Sequence, residues 1–87
     1  MTREEIFQTV SRNLVEMFEL DPKIVTMQSR LVEDLDLDSI DAIDLASKLQ
    51  ETLGRRLAED DLRKIRTVAD VVDVVESYAV PNPHRTP

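Results

Sequence analysis

Apolar side chains recur at helical spacing in three stretches of the chain, which predicts three amphipathic helices. The first covers residues 3–18, where Thr2 and Glu5 form a capping-box pattern ahead of the apolar positions. The second covers residues 39–53 and ends at Gly54, the only glycine, which suits a left-handed C-cap. The positions predicted to be buried are Ile6, Val10, Leu14, Met17 and Phe18 in the first helix and Ala42, Ile43, Leu45, Ala46, Leu49 and Leu53 in the second.

The last helix follows Thr67, a predicted N-cap with Asp70 three residues further on. Its valines are poor helix formers, so packing must hold this helix in place. A short helical turn is expected at residues 59–64, and residues 19–37, which show neither period, predict a long ordered connection. The inward side chains are expected to be Ile24, Val25, Met27, Leu31 and Leu35 in the connection, Leu62 and Ile65 near the short turn, and Val68, Val71, Val72, Val74, Val75 and Tyr78 in the last helix.

These elements predict an all-α fold, a small four-helix bundle of three main amphipathic helices plus one short helix. One domain is expected over residues 1–79, and the proline-rich tail, residues 80–87, is expected to be disordered. With no tryptophan, two phenylalanines and one tyrosine, the core must be built from Leu, Ile, Val and Met. Such a core packs adaptably and could open for a flexible apolar guest.

Negative charge is concentrated in one part of the chain. The net charge is −7, and residues 33–44 contain six carboxylates and no basic residue. This distribution argues against nucleic acid and anionic membranes as partners and favours a basic protein surface. Because the chain has no cysteine, no signal-peptide pattern and no segment of membrane-spanning length, we expect a cytoplasmic protein. A monomer is expected as well.

Ser39 stands at the predicted start of the second helix. Asp38 is the predicted N-cap, and Asp41 follows where a carboxylate favours the positive end of the helix dipole. Because the N–H groups of a first turn stabilise an attached anion, we interpret Ser39 as a site of covalent modification. The only histidine, His84, lies in the tail, so no base is held near Ser39 for catalysis and a non-catalytic protein is expected.

Calcium binding is the competing interpretation of the same acidic run. Asp34, Asp36 and Asp38 match the first three ligand positions of an EF-hand loop. The match fails at the sixth position, which is Ser39 instead of glycine, and at the twelfth, which is Leu45 instead of glutamate. No metal site is therefore predicted, and a divalent-metal-binding or adaptor domain is kept as the alternative from a different class.

The run from Val32 to Leu45, with Asp38-Ser39-Ile40 within it, resembles the Asp-Ser-Leu/Ile signature of acyl carrier proteins. The similarity covers about residues 3–79 and includes the run Lys64–Asp70 that opens the last helix. The resemblance implies that Ser39 receives a 4'-phosphopantetheine arm from coenzyme A, added by a phosphopantetheinyl transferase. It further implies that the thiol of the arm carries acyl groups as thioesters between synthetases, ketosynthases, reductases or acyltransferases of fatty-acid, polyketide or polyene-type biosynthesis.

Ile40 is not on the predicted buried face of the second helix and lies among acidic side chains. We interpret it as an apolar contact residue for a partner protein. A stray exposed isoleucine is the alternative interpretation. Under the resemblance, the expected docking surface for basic patches of partner enzymes consists of Asp36, Ile40, Asp41, Asp44 and Glu51. An acyl pocket is expected among Ile43, Leu49, Val68 and Val72.

Some positions depart from the usual fatty-acid carriers. Asp36 stands where many of them have glycine, and Lys48 and Arg55-Arg56 stand where such carriers are usually acidic or apolar. The run Arg63–Arg66 adds basic charge near the short third helix. These departures indicate a specialised stand-alone carrier, serving a polyketide, aryl-polyene-like or modified-lipid pathway. An aminoacyl or peptidyl carrier of the same fold is the alternative.

Overall fold

The chain folds into helices joined by ordered turns, and the computed structural model describes residues 2–79. The helices are α1 (Arg3–Phe18), α2 (Ser39–Leu53), α3 (Glu59–Arg63) and α4 (Val68–Ala79), with a short 3₁₀ helix, Pro22–Ile24, between α1 and α2. Within this described range there is no strand, only one isolated β-bridge between Arg30 and Thr67. The all-α architecture with three main helices and one short helix is therefore confirmed. The prediction for the tail, residues 80–87, lies outside the described residues.

Local caps set the ends of the main helices. Thr2 and Glu5 form a capping box at the start of α1, and each accepts a hydrogen bond from the backbone N–H of the other. Thr67 and Asp70 form the same reciprocal pair at the start of α4. Gly54 ends α2 with a φ of 70°, a left-handed conformation that glycine adopts without strain. These caps are the ones that the sequence predicts.

The core lies mainly between α1 and α4, which make the most extensive contact between helices. The α1 side chains Ile6 and Leu14 are fully buried, as are Val68 and Val72 of α4. Burying this apolar surface holds the valine-rich α4 in its helical form. The other buried apolar side chains are Val10, Val25, Leu31, Leu35, Leu37, Leu45, Leu49, Leu57, Val71, Val74 and Val75.

Three predicted core positions are wrong. Ile24 is 45% exposed, because the 3₁₀ helix places it outside while the following Val25 is buried. Ala42 and Ile43 in the first half of α2 are exposed, Ile43 by 66%. The buried side chains of α2 are Leu45 and Leu49 further along, so the first turns of the helix stand clear of the core.

The connection between α1 and α2 is fixed to the start of α4 by backbone hydrogen bonds. The Leu31 N–H donates to the Arg66 carbonyl at 2.9 Å, and the Val68 N–H donates to the Ser29 carbonyl at 2.9 Å. The long ordered connection is thus confirmed, and it holds the segment before α2 at a set position on the bundle. Among residues 2–79, no helix combines the length and apolar character needed to cross a membrane.

Candidate functional site

The start of α2 is closed by two carboxylates that face its own backbone. The Asp41 N–H donates to Asp38 Oδ1 at 2.9 Å, and the Asp38 N–H donates to Asp41 Oδ2 at 3.1 Å. The Ala42 N–H donates to the Asp38 carbonyl at 3.0 Å, which begins the helical ladder. Ser39, the first residue of α2, is exposed between these two acids. Ser39 therefore lies on the surface of the protein, at the capped start of a helix.

Acidic side chains before α2 have separate local partners. Asp34 accepts hydrogen bonds from the Arg30 backbone N–H at 2.8 Å and from Arg30 Nε at 3.2 Å. The Arg30 guanidinium holds the pKa of the Asp34 carboxyl below its usual value. Asp36 adopts a φ of 58°, a left-handed conformation that aspartate tolerates better than most residues. Glycine would adopt this conformation without strain.

Two of the three aspartates that match the EF-hand pattern have partners within the protein. Asp34 is engaged by Arg30, and Asp38 is engaged by the backbone of the first turn of α2. In the part of the chain that the structure describes, no group of three or more His, Cys, Asp or Glu side chains is arranged to hold a metal ion.

A cavity of about 620 Å³ lies beside the start of α2. Asp38, the residue before Ser39, lines it, and Leu62 and Ile65 line it from α3 and the segment after α3. Its volume falls in the range of about 300–1,000 Å³ that is typical of small-molecule pockets. The remaining lining residues are Arg30, Leu31, Val32, Glu33, Leu37, Ala42, Ile43, Leu45, Ala46, Leu49, Arg66 and Thr67.

Two of the four predicted pocket residues line this cavity and two do not. Ile43 and Leu49 are among the lining side chains. Val68 and Val72 are fully buried in the core and do not line it. Leu62 and Ile65 also line the cavity and were not predicted as pocket residues, although their predicted inward orientation was a usable signal.

The predicted docking residues are distributed along the outside of the acidic segment and α2. Ile40 is 67% exposed, as large an exposure as that of Ile43. Asp36, Asp44 and Glu51 are exposed and Asp41 is half-buried. Glu51 lies 3.8 Å from Lys48 Nζ, a loose surface pair. The structure thus presents two neighbouring isoleucines, one more than the sequence predicted, next to exposed carboxylates.

Known proteins share this fold and match this chain in sequence. The phosphopantetheine attachment site family matches residues 8–75, a span that includes Ser39 and all of α2. Acyl carrier protein 2 of Ralstonia nicotianae is 48% identical over 77 residues, which is 88% of this chain and 95% of that protein. The acyl carrier protein of Coprothermobacter proteolyticus is 42% identical over 77 residues, 88% of this chain and 94% of that protein. The solved structure of the acyl carrier protein from Enterococcus faecalis matches with a TM-score of 0.72 at 33% identity, covering 90% of this chain and 99% of that one.

The helical fold and the match to the phosphopantetheine attachment site family define a carrier domain that bears a phosphopantetheine group. The chain belongs to the acyl carrier protein family, whose members are non-catalytic carriers with covalent 4'-phosphopantetheine. Carriers of this family act with a phosphopantetheinyl transferase and with biosynthetic enzymes. The residues of this chain fit the group, because Ser39 is exposed at a helix N-terminus and the adjacent cavity is lined mostly by aliphatic side chains.

Proposed function

We propose that Ser39 is the attachment residue and that this chain carries acyl intermediates in a cytoplasmic biosynthetic pathway, with residues 1–79 as the carrier domain. The observation that carries the proposal is the exposed Ser39 at the first position of α2, with Asp38 and Asp41 bonded into the helix backbone. The dipole and the N–H groups of the first turn favour the negative charge of a phosphodiester by about 0.3–1 kcal/mol at an exposed site.

The chain supplies the nucleophile, Ser39 Oγ, and the transferase supplies the base. During attachment, Ser39 Oγ forms a bond to the phosphorus next to the pantetheine, and the pyrophosphate bond of coenzyme A breaks. Adenosine 3',5'-bisphosphate leaves, and the hydroxyl proton passes to a base of the transferase. When bound, the arm supplies a thiol that holds acyl groups as thioesters, which explains why a carrier needs no catalytic side chain of its own.

The cavity beside α2 is proposed to shelter the acyl chain. Ile43 and Leu49 line it, and Asp38 places one end of it next to Ser39. Removing an acyl chain from water contributes about 0.8 kcal/mol for each buried CH₂ group. Val68 and Val72 belong to the packed core behind this wall, so the proposed pocket contains Ile43 and Leu49 but not these valines.

The docking surface is proposed to consist of Asp36, Ile40, Asp41, Asp44 and Glu51. Its exposed carboxylates complement basic patches on the transferase and on synthetases, ketosynthases, reductases or acyltransferases. Ile40, at 67% exposed, supplies an apolar contact among them. Such docking is fast, weak and sensitive to salt.

The basic residues of the surface support a specialised pathway. Arg55 and Arg56 are exposed directly after α2, and Lys64 and Arg66 are exposed after α3. A partner of this carrier must accept positive charge near these residues as well as negative charge near Ser39. We therefore place the chain in a polyketide, polyene-type or modified-lipid pathway in preference to housekeeping fatty-acid synthesis.

Intact-mass measurement after incubation with coenzyme A and a phosphopantetheinyl transferase tests the proposal. The wild-type protein should gain the mass of one arm, and Ser39→Ala should gain none. Ser47→Ala is the matched control, because Ser47 is also an exposed serine on α2 and should not affect loading. Unchanged mass of the wild type with several active transferases, or full loading of Ser39→Ala, would contradict the proposal. The mass of the protein purified from its own source additionally separates an acyl from an aminoacyl cargo.

A further inference from the structure

The short helix α3 borders the cavity but has little within itself to hold it there. It comprises five residues, its N-cap is Ala58, which offers no side-chain cap, and none of its residues is buried. It also packs only weakly against the other helices. An isolated helix of this length is unstable in water. Because the α3 residue Leu62 nevertheless lines the cavity, the position of that wall depends on contacts from outside α3.

Tyr78, in the last turn of α4, makes those contacts. Its hydroxyl accepts a hydrogen bond from the Ala58 N–H at 2.9 Å and donates one to Asp61 Oδ2 at 2.6 Å. A single oxygen thus joins the residue before α3 to a carboxylate within α3. This contact occupies the Ala58 backbone donor that no side chain of α3 itself reaches.

Arg55 holds the same tyrosine from a second direction. Its guanidinium carbon lies 4.9 Å from the centre of the Tyr78 ring, within the range of a cation–π contact. Its Nη1 also donates to the Tyr78 carbonyl at 3.5 Å. Next to it, the Leu57 N–H donates to Gln50 Oε1 at 2.8 Å, which ties the segment before α3 to α2. The segment before α3, residues 55–57, is therefore attached to both α2 and α4.

We infer that Tyr78 is a positioning residue for the cargo cavity: its hydroxyl fixes α3 from α4 and thereby keeps the Leu62 wall in place against a sheltered acyl chain. The inference deepens the proposed function, because it requires that the cavity hold cargo. Losing the hydroxyl should loosen α3 and expose a long chain to water. It should leave the attachment of the arm to Ser39 unchanged, because Ser39 lies at the opposite end of α2 from Gln50 and Arg55.

The first test uses the unmodified protein. Tyr78→Phe removes only the hydroxyl, and amide hydrogen exchange followed by NMR should be faster at residues 58–66 while the core amides of α1 and α4 keep their rates. Glu59→Gln is the matched control, because it breaks the Arg63–Glu59 pair within α3 without touching Tyr78. Asp61→Ala should behave like Tyr78→Phe, and Asp61→Asn, which keeps a carbonyl acceptor, should stay close to the wild type. Equal exchange at residues 58–66 in Tyr78→Phe and in the wild type would overturn the inference.

The second test compares a long and a short cargo on the loaded protein. Hydroxylamine should cleave an octanoyl thioester more slowly than an acetyl thioester in the wild type, because only the longer chain reaches the cavity. In Tyr78→Phe this protection should fall by about tenfold, the loss expected for one hydrogen bond to a charged group, with acetyl cleavage unchanged. A change that is the same for both cargoes would indicate general loosening and overturn the inference.

The two proposals fail in distinguishable ways. If the wild type does not take up the arm, the proposed function fails, and the exchange experiment still reports on Tyr78 and α3. If loading succeeds and the octanoyl protection is equal in Tyr78→Phe and in the wild type, the role of Tyr78 is overturned while the carrier function stands.

Discussion

Asp38 and Asp41 each accept the backbone N–H of the other across the first turn of α2, at 2.9 and 3.1 Å. Thr2 and Glu5 make the same exchange at the start of α1, at 3.1 and 2.7 Å. These caps at α1 and α2, like the one that Thr67 and Asp70 form at α4, are equivalent, and of the three only the α2 cap adjoins Ser39. Comparing variants of the α1 and α2 caps therefore separates the contribution of a cap to stability from its contribution to the modification of Ser39.

Asp38→Ala should lower the free energy of unfolding by about 1 kcal/mol, the typical effect of losing an N-cap. It should also slow the loading of Ser39, because the turn that presents the hydroxyl is less well fixed. Thr2→Ala should cost similar stability and leave the loading rate unchanged. Urea denaturation and time-resolved mass measurement report the two quantities. Equal loading rates in both variants would contradict a role for the α2 cap in presenting Ser39.

Substitutions on the docking surface should separate charge from apolar contact. Asp44→Asn should slow loading by the transferase at low salt and have less effect at high salt, because salt screens an exposed charge. Ile40→Ala should slow loading at both salt concentrations, because an apolar contact is not screened. Glu16→Gln and Ile24→Ala are the controls, since both residues are exposed but lie before the acidic segment. If the controls slow loading as much as the docking variants, the proposed surface is wrong.

Three residues with left-handed backbone conformations predict how glycine affects stability. Removing the glycine at position 54 should destabilise the protein, and introducing glycine at position 19 or 36 should stabilise it. Gly54 has a φ of 70°, and an added Cβ would meet nothing within 4 Å, so Gly54→Ala should lose only the backbone term of about 1–2 kcal/mol. Glu19 closes α1 at a φ of 53°, and Glu19→Gly should gain about 0.5–1 kcal/mol after the extra chain entropy of glycine is subtracted. Asp36→Gly should also be stabilising. Thermal unfolding measures all three, and a stabilising Gly54→Ala would contradict the account.

Two carboxyl groups should link stability to pH. The Thr2 N–H lowers the pKa of Glu5, and the Arg30 guanidinium lowers the pKa of Asp34. A carboxyl with a lowered folded-state pKa stabilises the protein above its unfolded pKa, about 4.3 for glutamate and about 3.9 for aspartate. That stabilisation is lost as pH falls through the folded value.

Glu5→Gln and Asp34→Asn should therefore be less stable than the wild type near neutral pH, and the difference should shrink in acid. Carboxyl titration by NMR together with urea denaturation across the acidic range checks this expectation. Titration midpoints at or above the ordinary values would contradict it.

The helix bounds could be predicted because they depend on residues close together in the sequence. Thr2 with Glu5 and Asp38 with Asp41 are three residues apart, and Gly54 acts through its own φ. The same local chemistry predicts Ser39 at the start of α2, where the structure has it. The proposed attachment residue is thus predictable from the sequence, since its setting is a single helical turn.

Features that depend on distant residues could not be predicted in the same way. Periodicity placed Ile43 on the buried face, but burial depends on which helix covers that face, and the first turns of α2 border a cavity instead. Tyr78 and Asp61 meet across 17 positions, and the Arg30–Thr67 bridge spans a still longer separation. The periodicity correctly placed Tyr78 towards the core but gave no information about its hydroxyl.

The position of Tyr78 also makes it an optical reporter. It is the only tyrosine, and the chain has no tryptophan, so its ring is the one strong ultraviolet fluorophore in the protein. Emission from this ring is sensitive to a neighbouring carboxylate that accepts a hydrogen bond from its hydroxyl, and Asp61 is such a neighbour. Movements of α3 during a carrier cycle should therefore change the fluorescence emission of Tyr78. This emission can be recorded on the unlabelled protein mixed with a partner enzyme, after the emission of the enzyme's own aromatic residues is subtracted.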